Sequence, residues 1–272
     1  MKYSHQNLVA LMGYYGGDKT HCLSAWQSTC LDNIDSLSSF YEKSVNDGSD
    51  GKTWINSLFE DTKKNRKRSP KELLFFLARA GHHTPFEKST LHFQVRADIA
   101  SHIHFLKHRI GVSINTESAR YKELPDKWYL PSDWASFDGT EIHLVNDLSE
   151  ALADYPEFNK AGDIINLLNS YAELGHKLYH LTCSRLTPIV GRKRARECSR
   201  YFLPYCKQVD FDVTFNFKSF VHFQRLRNSP DAQLEIQKIA QMMLSLVECI
   251  PGNPFQLSLE AFGLTETNLD LV

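Results

Sequence analysis

The chain has 272 residues, 42% hydrophobic and 23% charged, with a formal net charge of -1. A chain of that length buries roughly three quarters of its unfolded surface, so it needs no disulfide framework. The near-zero charge argues against a generic nucleic-acid binder, whose affinity would rest on cationic excess, and no apolar run approaches the ~20 residues that span a bilayer. The six cysteines, with no CxxC pair among them, point to free thiols in a reducing cytoplasm rather than to bridges or zinc ligation. The N-terminal stretch MKYSHQNLVALMGYYGG is too interrupted to read as a secretion signal. The expected compartment is therefore the cytoplasm, and the length fits one large domain or two small ones.

Asn7 to Met12 reads as a strand, followed by a Gly16-Gly17 turn and a short helix from about His21 to Cys30. Asn46 to Lys52, NDGSDGK, has the composition of a loop. The basic run Lys63 to Arg68 reads as a solvated loop or helix end, with a phosphate or partner contact as the other use for it. Ser69-Pro70-Lys71-Glu72 predicts a helix start: Ser as N-cap, Pro at the first helical position, Glu three residues after Ser. Leu73, Leu74, Phe76 and Leu77 give that helix a buried side, and Gly81 ends it.

From Gly81 to Tyr121 charged, imidazole and hydroxyl groups concentrate. Leu91, Phe93 and Val95 alternate with Thr90, His92, Gln94 and Arg96, the period of a strand with one buried face. Asp98 is placed as a helix N-cap, with Ile99, Ile103 and Leu106 as the apolar stripe and His104, Lys107 and His108 on a different face. Gly111 to Ser118 reads as a polar loop. Cations and imidazoles that leave a helix end together, ahead of such a loop, are chemistry for an anionic ligand; the bland alternative is a solvated helix face.

Lys122 to Trp134 is aromatic and proline-bearing, and Trp128 and Tyr129 are expected in the core or in a subunit contact. Ala135 to Asn159 reads as a surface excursion. Ile164, Leu167, Leu168, Tyr171, Leu174, Leu178 and Leu181 predict a long amphipathic helix from about Ala161 to Leu186. Helical character continues through Arg192 to Cys198 up to Leu203-Pro204, with a basic side that is solvated or helps hold a phosphate. Phe211, Val213, Phe215 and Phe217 alternate with Asp210, Asp212, Thr214, Asn216 and Lys218, a second half-buried strand. A helix follows with Phe220 and Phe223 inward, and Leu226-Arg227 ends it. Ser229-Pro230-Asp231 reads as the start of a last helix, striped by Ile236, Ile239, Ala240, Met243 and Val247. With no Gly-rich fingerprint, Walker motif, HExxH pair or internal repeat, a dinucleotide would bind without a Rossmann turn, and no metal site is expected.

Lys107-His108-Arg109, a short loop and Ser118-Ala119-Arg120-Tyr121 together resemble the signature of flavin-dependent thymidylate synthases (ThyX): Arg-His-Arg, seven residues, then Ser and usually Arg-Tyr. Gly81-His82-His83-Thr84-Pro85-Phe86-Glu87 is similar to the family's upstream segment. Asn216-Phe217-Lys218-Ser219, Leu226-Arg227, Ala232-Gln233 and Glu235-Ile236 are similar to its C-terminal blocks, with a weaker echo at Cys22 to Cys30. The resemblance implies an α+β fold, a central antiparallel sheet flanked by helices with a helical lobe, as one catalytic domain over residues 1–272. It implies methylation of dUMP at C5 to dTMP, with 5,10-methylenetetrahydrofolate as carbon donor, FAD as redox mediator and NADPH as reductant. It further implies a homotetramer with active sites at subunit interfaces, and neither nucleic acid nor membrane as partner.

Carried over by position, the resemblance sets Arg227 at the uracil edge, favouring ionisation of N3, and makes Arg227 and Ser118 the catalytic pair. His104, Lys107, Glu117, Ser118, Ala119 and Arg120 join Arg227 in binding dUMP, with the planar fork of Arg120 suited to the phosphate. FAD falls to His82, Thr84, Lys107, His108, Arg109, Glu117, Asn216, Lys218 and His222, with His82 on the flavin's open side, where folate enters. The chain departs from the pattern in several places. Lys107 replaces the first Arg, and the loop to Ser118 holds eight residues, so either Thr116 or Glu117 matches the family's Glu, with Glu117 favoured. His104 stands for Gln and His222 for Asn. Asp210 falls where many members place a phosphate-binding Arg, which calls for Lys207 or Arg200 as substitute cation. These departures leave two alternatives open: a relative making another C5-substituted nucleotide such as 5-hydroxymethyl-dUMP, and a non-catalytic nucleotide or nucleic-acid binder.

Overall fold

The computed structural model describes residues 2–30, 52–64, 66–136 and 164–265. In chain order the elements are β1 (Tyr3–Ser4), β2 (Leu8–Tyr15), α1 (Asp18–Cys30), α2 (Lys52–Lys63), α3 (Pro70–Arg79), a 3-10 turn (Thr84–Lys88), β3 (Thr90–Asp98), α4 (Ile99–Phe105) and β4 (Val112–Thr116). After β5 (Trp128–Tyr129) and a 3-10 turn (Asp133–Ser136) come α5 (Ile164–Val190), α6 (Arg192–Ser199) and a 3-10 turn (Arg200–Phe202). The chain continues with β6 (Gln208–Asn216), α7 (Phe217–Arg227), α8 (Leu234–Glu248) and α9 (Gln256–Phe262).

A four-stranded sheet runs in the order β2-β3-β6-β4, and β1 pairs with β5 in parallel. The larger sheet is antiparallel. At its β4 edge Asn216 N–H donates to Gly111 C=O at 2.8 Å, and Glu117 N–H to Asp210 C=O at 2.9 Å, so one strand's index rises as its neighbour's falls. The fold is thus α+β, as expected. The described residues divide into two compact units: Met1–Leu8, Val95–Lys107 and Asn115–Phe211 form the first, and Val9–Gln94, His108–Ile114 and Asp212–Val272 the second.

In the second unit Ser69 and Glu72 close the capping box that the sequence predicts for α3. Leu73, Leu74 and Leu77 are buried there, whereas Phe76 is exposed and carries the Arg68 guanidinium 4.2 Å from its ring centroid. Phe86, Phe217, Phe220, Phe255 and Phe262 build an aromatic core, with Phe217 and Phe255 stacked at 5.4 Å. Beside it lies a buried polar relay. Ser258 O–H donates to Asp18 Oδ1 (2.5 Å), so His21 must give its Nδ1–H to Ser258 Oγ (2.8 Å), and Nε2 then accepts from Ser89 O–H (2.6 Å). Asp18 also accepts the Leu257 and Ser258 N–H groups at the start of α9. α1 accordingly begins at Asp18, earlier than His21. α8 begins at Leu234 rather than at Ser229, because Ser229-Pro230-Asp231 closes a turn of its own, with Asp231 N–H on Ser229 Oγ and Ala232 N–H on Ser229 C=O. Its stripe, Ile236, Ile239, Ala240, Met243 and Val247, is fully buried as expected.

In the first unit Asp98 caps α4 by accepting from Ser101 N–H (2.8 Å) and Ser101 Oγ (2.7 Å). That geometry turns Ser101 and Phe105 inward, and Phe105 meets Phe211 at 5.0 Å. The predicted stripe is therefore wrong: Ile99 and Ile103 are half-buried and Leu106 is 47% exposed. The helix also ends at Phe105, so Lys107 and His108 lie beyond it rather than on one of its faces. The expected loop from Gly111 to Ser118 contains β4, an edge strand in which Val112, Ile114 and Thr116 alternate as the half-buried side. α5 is as long as expected, but its buried face is shifted. Ala172, His176, Tyr179 and Cys183 are buried, while Tyr171 and Leu181 are each 53% exposed. The reason is close backbone approach, since a Cβ at Gly175 would stand 2.6 Å from the Phe202 carbonyl oxygen. Trp128, Tyr129 and Leu130 are core, and Trp128 Nε1 donates to Asn169.

Of the loop predicted at Asn46 to Lys52, only Lys52 is described, as the first residue of α2. The excursion predicted at Ala135 to Asn159 lies, from residue 137 on, outside the described residues. Cys22, Cys183, Cys198, Cys206 and Cys249 are free thiols. No helix among the described residues is long and apolar enough to cross a membrane.

Candidate active site

In the second unit the chain leaves Lys107 and buries His108, which is 8% exposed. Its ring packs edge-on to Phe223 (5.1 Å) and to His222 (5.7 Å), both on α7. From the last turn of α7, Arg227 Nε donates to His108 Nε2 at 3.1 Å. A guanidinium only donates, so His108 accepts as a neutral ring with its proton on Nδ1. Burial pulls Arg227 below the usual guanidinium range without removing its charge. The result is an oriented cation whose remaining N–H groups have no hydrogen-bond partner among the described residues. His108, His222 and Arg227, named from distant parts of the sequence, thus come together.

The segment after His108 is tied to the N-terminus of α7. Asn216 caps that helix by accepting from Ser219 N–H (2.8 Å), and Ser219 Oγ donates to Ile110 C=O (2.6 Å). Gly111, at φ +64°, lies so close that a Cβ there would overlap the Asn216 amide. Arg109, Thr84 and His82 are exposed, and His82 lies 6.2 Å from Phe76 by ring centroids. Lys218 Nζ lies 5.6 Å from the Phe262 ring centroid. Burial and then Arg225 hold its ammonium below the usual lysine range, and Glu87 acts in the opposite direction.

In the first unit Glu117 is largely buried: Oε1 accepts from Asp210 N–H (3.1 Å), and Lys122 Nζ stands 2.7 Å from Oε2. Thr116, the other residue in question for that place, has its hydroxyl 2.8 Å from His102 Nε2. Ser118 and Ala119 form the turn into Arg120, whose N–H donates to Ser118 Oγ (3.3 Å) and whose Nε lies 2.8 Å from Glu197 Oε1. His104 is half-buried and Lys107 exposed.

Asp210 is not a free repulsive charge. Arg96 donates to both of its oxygens, at 2.6 and 2.8 Å, and that fork holds the Asp210 carboxyl below the usual carboxylate range. Of the two substitute cations, Lys207 is fully buried, donating to the carbonyls of Lys127 and Gln208, and burial pulls its pKa down to about 8. Among the described residues it is covered on all sides and presents no donor at the surface. Arg200 is exposed in its 3-10 turn. Sequence reasoning missed Arg96, Lys122 and Glu197 as members of these clusters. Arg96 was legible in principle, because it occupies the polar face of β3 as Asp210 does that of β6, and antiparallel neighbours pair across strands.

Two solved structures share the fold, those of a UMP/dUMP methylase, PolB, from Streptomyces cacaoi bound with 5-Br dUMP and with 5-Br UMP. They match with TM-scores of 0.63 and 0.58 at 22% identity, covering 96% and 97% of this chain and 97% of theirs. That likeness is one of fold. In sequence, residues 36–251 match the family model described as thymidylate synthase complementing protein. Flavin-dependent thymidylate synthases of Thermosipho africanus and Kosmotoga olearia are 34% and 32% identical over 170 residues, 62% of this chain and 68% and 67% of theirs. The chain belongs to the thymidylate synthase complementing protein family, and is an enzyme of the flavin-dependent methyltransferase class.

Proposed function

We propose that this enzyme methylates dUMP at C5 to give dTMP, with 5,10-methylenetetrahydrofolate as carbon donor, FAD as redox mediator and NADPH as reductant. The observation that carries this reading is the Arg227–His108 pair: a fixed, partly desolvated cation held by a neutral imidazole. Reduction of a pyrimidine builds negative charge on the ring, and a preorganised cation at its edge stabilises that charge without reorganisation. Arg227 meets the uracil edge and favours N3 ionisation. Ser118 joins it in catalysis, and Ser118, Ala119 and Arg120 cradle the nucleotide with His104, Lys107 and Glu117.

The flavin site draws on His82, Thr84, Lys107, His108, Arg109, Glu117, Asn216, Lys218 and His222. The residues present fit that group. Lys218 and Arg225 repel one another, and Glu87 is the one carboxylate among the described residues that acts on Lys218, so an anion such as the FAD pyrophosphate relieves a local positive excess. When bound, the flavin supplies the redox chemistry, and the chain supplies position and charge. The working form is a cytoplasmic homotetramer, each chain a single catalytic domain, with active sites at subunit interfaces and no nucleic-acid partner.

The test is anaerobic incubation with dUMP, methylenetetrahydrofolate, FAD and NADPH, with the product read by mass spectrometry. A methyl product is expected, a hydroxymethyl product would redirect the reading to 5-hydroxymethyl-dUMP, and no C5-substituted product would sink it.

A further inference from the structure

Ser89, fully buried, follows the 3-10 turn that carries Thr84. Its carbonyl accepts at 3.1 Å from the N–H of Phe217, the first residue of α7, which stands between Asn216 and Lys218. Its hydroxyl donates to His21 Nε2 at 2.6 Å. The His21 ring also meets both segments directly, Phe86 of the turn at 5.1 Å and Phe217 at 5.2 Å by centroids. Gly16 closes on the same serine, since a Cβ there would stand 2.7 Å from Ser89 Cβ. Burial pulls the His21 pKa down to about 3, so the ring is neutral at neutral pH and both of its nitrogens are committed, Nδ1 to Ser258 and Nε2 to Ser89. A phenylalanine would pack among these aromatic rings without the cost of desolvating an imidazole. The polar ring therefore calls for a reason beyond filling space.

We propose that His21 is a positioning residue for the flavin site: through Ser89 it fixes the turn that carries Thr84 against the start of α7, which carries Asn216 and Lys218. The inference rests on the reading that these three residues hold FAD. A fully satisfied buried network rigidifies the elements it joins, because its hydrogen bonds hold in one geometry. Ser89 is the point of transfer. His21 fixes the rotation of its side chain, and its carbonyl takes the first N–H of α7. A ligand that draws on both segments is bound best when their separation is set beforehand. His21 itself is fully buried and reaches no ligand, so it acts only through its neighbours.

The experiment titrates FAD into the full chain stripped of flavin, reading flavin fluorescence and the visible circular dichroism of the bound flavin. It uses wild type, His21→Phe, Ser89→Ala and the double variant, each checked for folding by thermal melt. Ser69→Ala, whose capping box lies outside the relay, serves as the stability control. Each single relay variant should weaken FAD by about three- to ten-fold, the scale of one buried hydrogen bond, and alter the dichroism. The double variant should lose no more than either single one, because both remove the same bond. Ser69→Ala should lower the melting temperature and leave FAD affinity unchanged. The inference is overturned by unaltered FAD affinity in His21→Phe and Ser89→Ala, by losses that add in the double variant, or by an equal loss in Ser69→Ala. Wild type that binds no FAD would sink the flavin reading and this inference with it, whereas FAD bound equally by wild type and the relay variants sinks the inference alone.

Discussion

At the scale of single residues, the decisive feature is that His108 is an acceptor. Arg227 has one N–H committed to it and is thereby aimed, which is why the pair outweighs a free surface arginine. Arg227→Ala should abolish turnover and leave the flavin absorption spectrum largely intact, because the proposed role of the group is on the pyrimidine; normal turnover would remove the assignment. His108→Ala removes the acceptor and lets the guanidinium swing. The expected loss of stability is about 1 kcal/mol, since Arg227 retains some access to water, whereas turnover should fall by far more than that figure explains. Comparing urea midpoints with kcat for this variant separates an orienting role from a merely structural one. Asp210 shows that a charge cannot be read alone: in sequence it stands as a repulsive residue for a phosphate, and in the fold Arg96 neutralises it.

At the scale of elements, the site segments are held by backbone geometry as much as by side chains. Gly111 lies where β4 begins, at φ +64° and against the Asn216 amide that caps α7. Gly111→Ala combines a left-handed backbone with a steric overlap, so a loss of more than about 1 kcal/mol is expected, and it should lower turnover as well, because the chain from His108 onward would be displaced. Ser69→Ala should cost α3 about 1 kcal/mol, read as a lowered melting temperature, through loss of its capping box. The misread faces of α4 and α5 share one cause. For α4 and α5 the apolar pattern counted large side chains, and the fold selected faces by close contact instead, through Ser101 under the Asp98 cap and Gly175 against Phe202. β4 was hidden by its hydroxyl and amide residues, although Val112, Ile114 and Thr116 carry the period of a strand.

At the scale of the whole molecule, the buried relay ties stability to pH. Burial raises the Asp18 pKa from 3.8 to about 6, so the folded state holds that proton more tightly than the unfolded one. Its contribution is present below about 4 and is lost as pH rises through about 6. Burial lowers the His21 pKa from 6.5 to about 3, so its contribution is present above 6.5 and is lost as pH falls towards 3. Between pH 4 and 6 the two slopes oppose and the stability curve should be flat. Asp18→Asn, which keeps the oxygen that accepts from α9, should replace the plateau with stability that climbs with pH; a persistent plateau in urea midpoints would contradict the relay. A single chain also leaves Tyr171, Leu181, Ile189 and Tyr201 more than half exposed. Light scattering should return the tetramer mass, and a monomer mass at micromolar concentration would count against the proposed assembly.

The sequence alone determined what local chemistry and period can encode: the capping box at Ser69, the alternation of β3 and β6, the buried stripe of α8, and the signature blocks that announce the family. Tertiary structure decided the rest, because it depends on which backbones approach closely and which distant charges meet. No spacing rule brings Arg227 to His108 or Glu197 to Arg120. Those pairings follow from sheet order and helix packing, which fix partners far apart in the chain only once the core has formed.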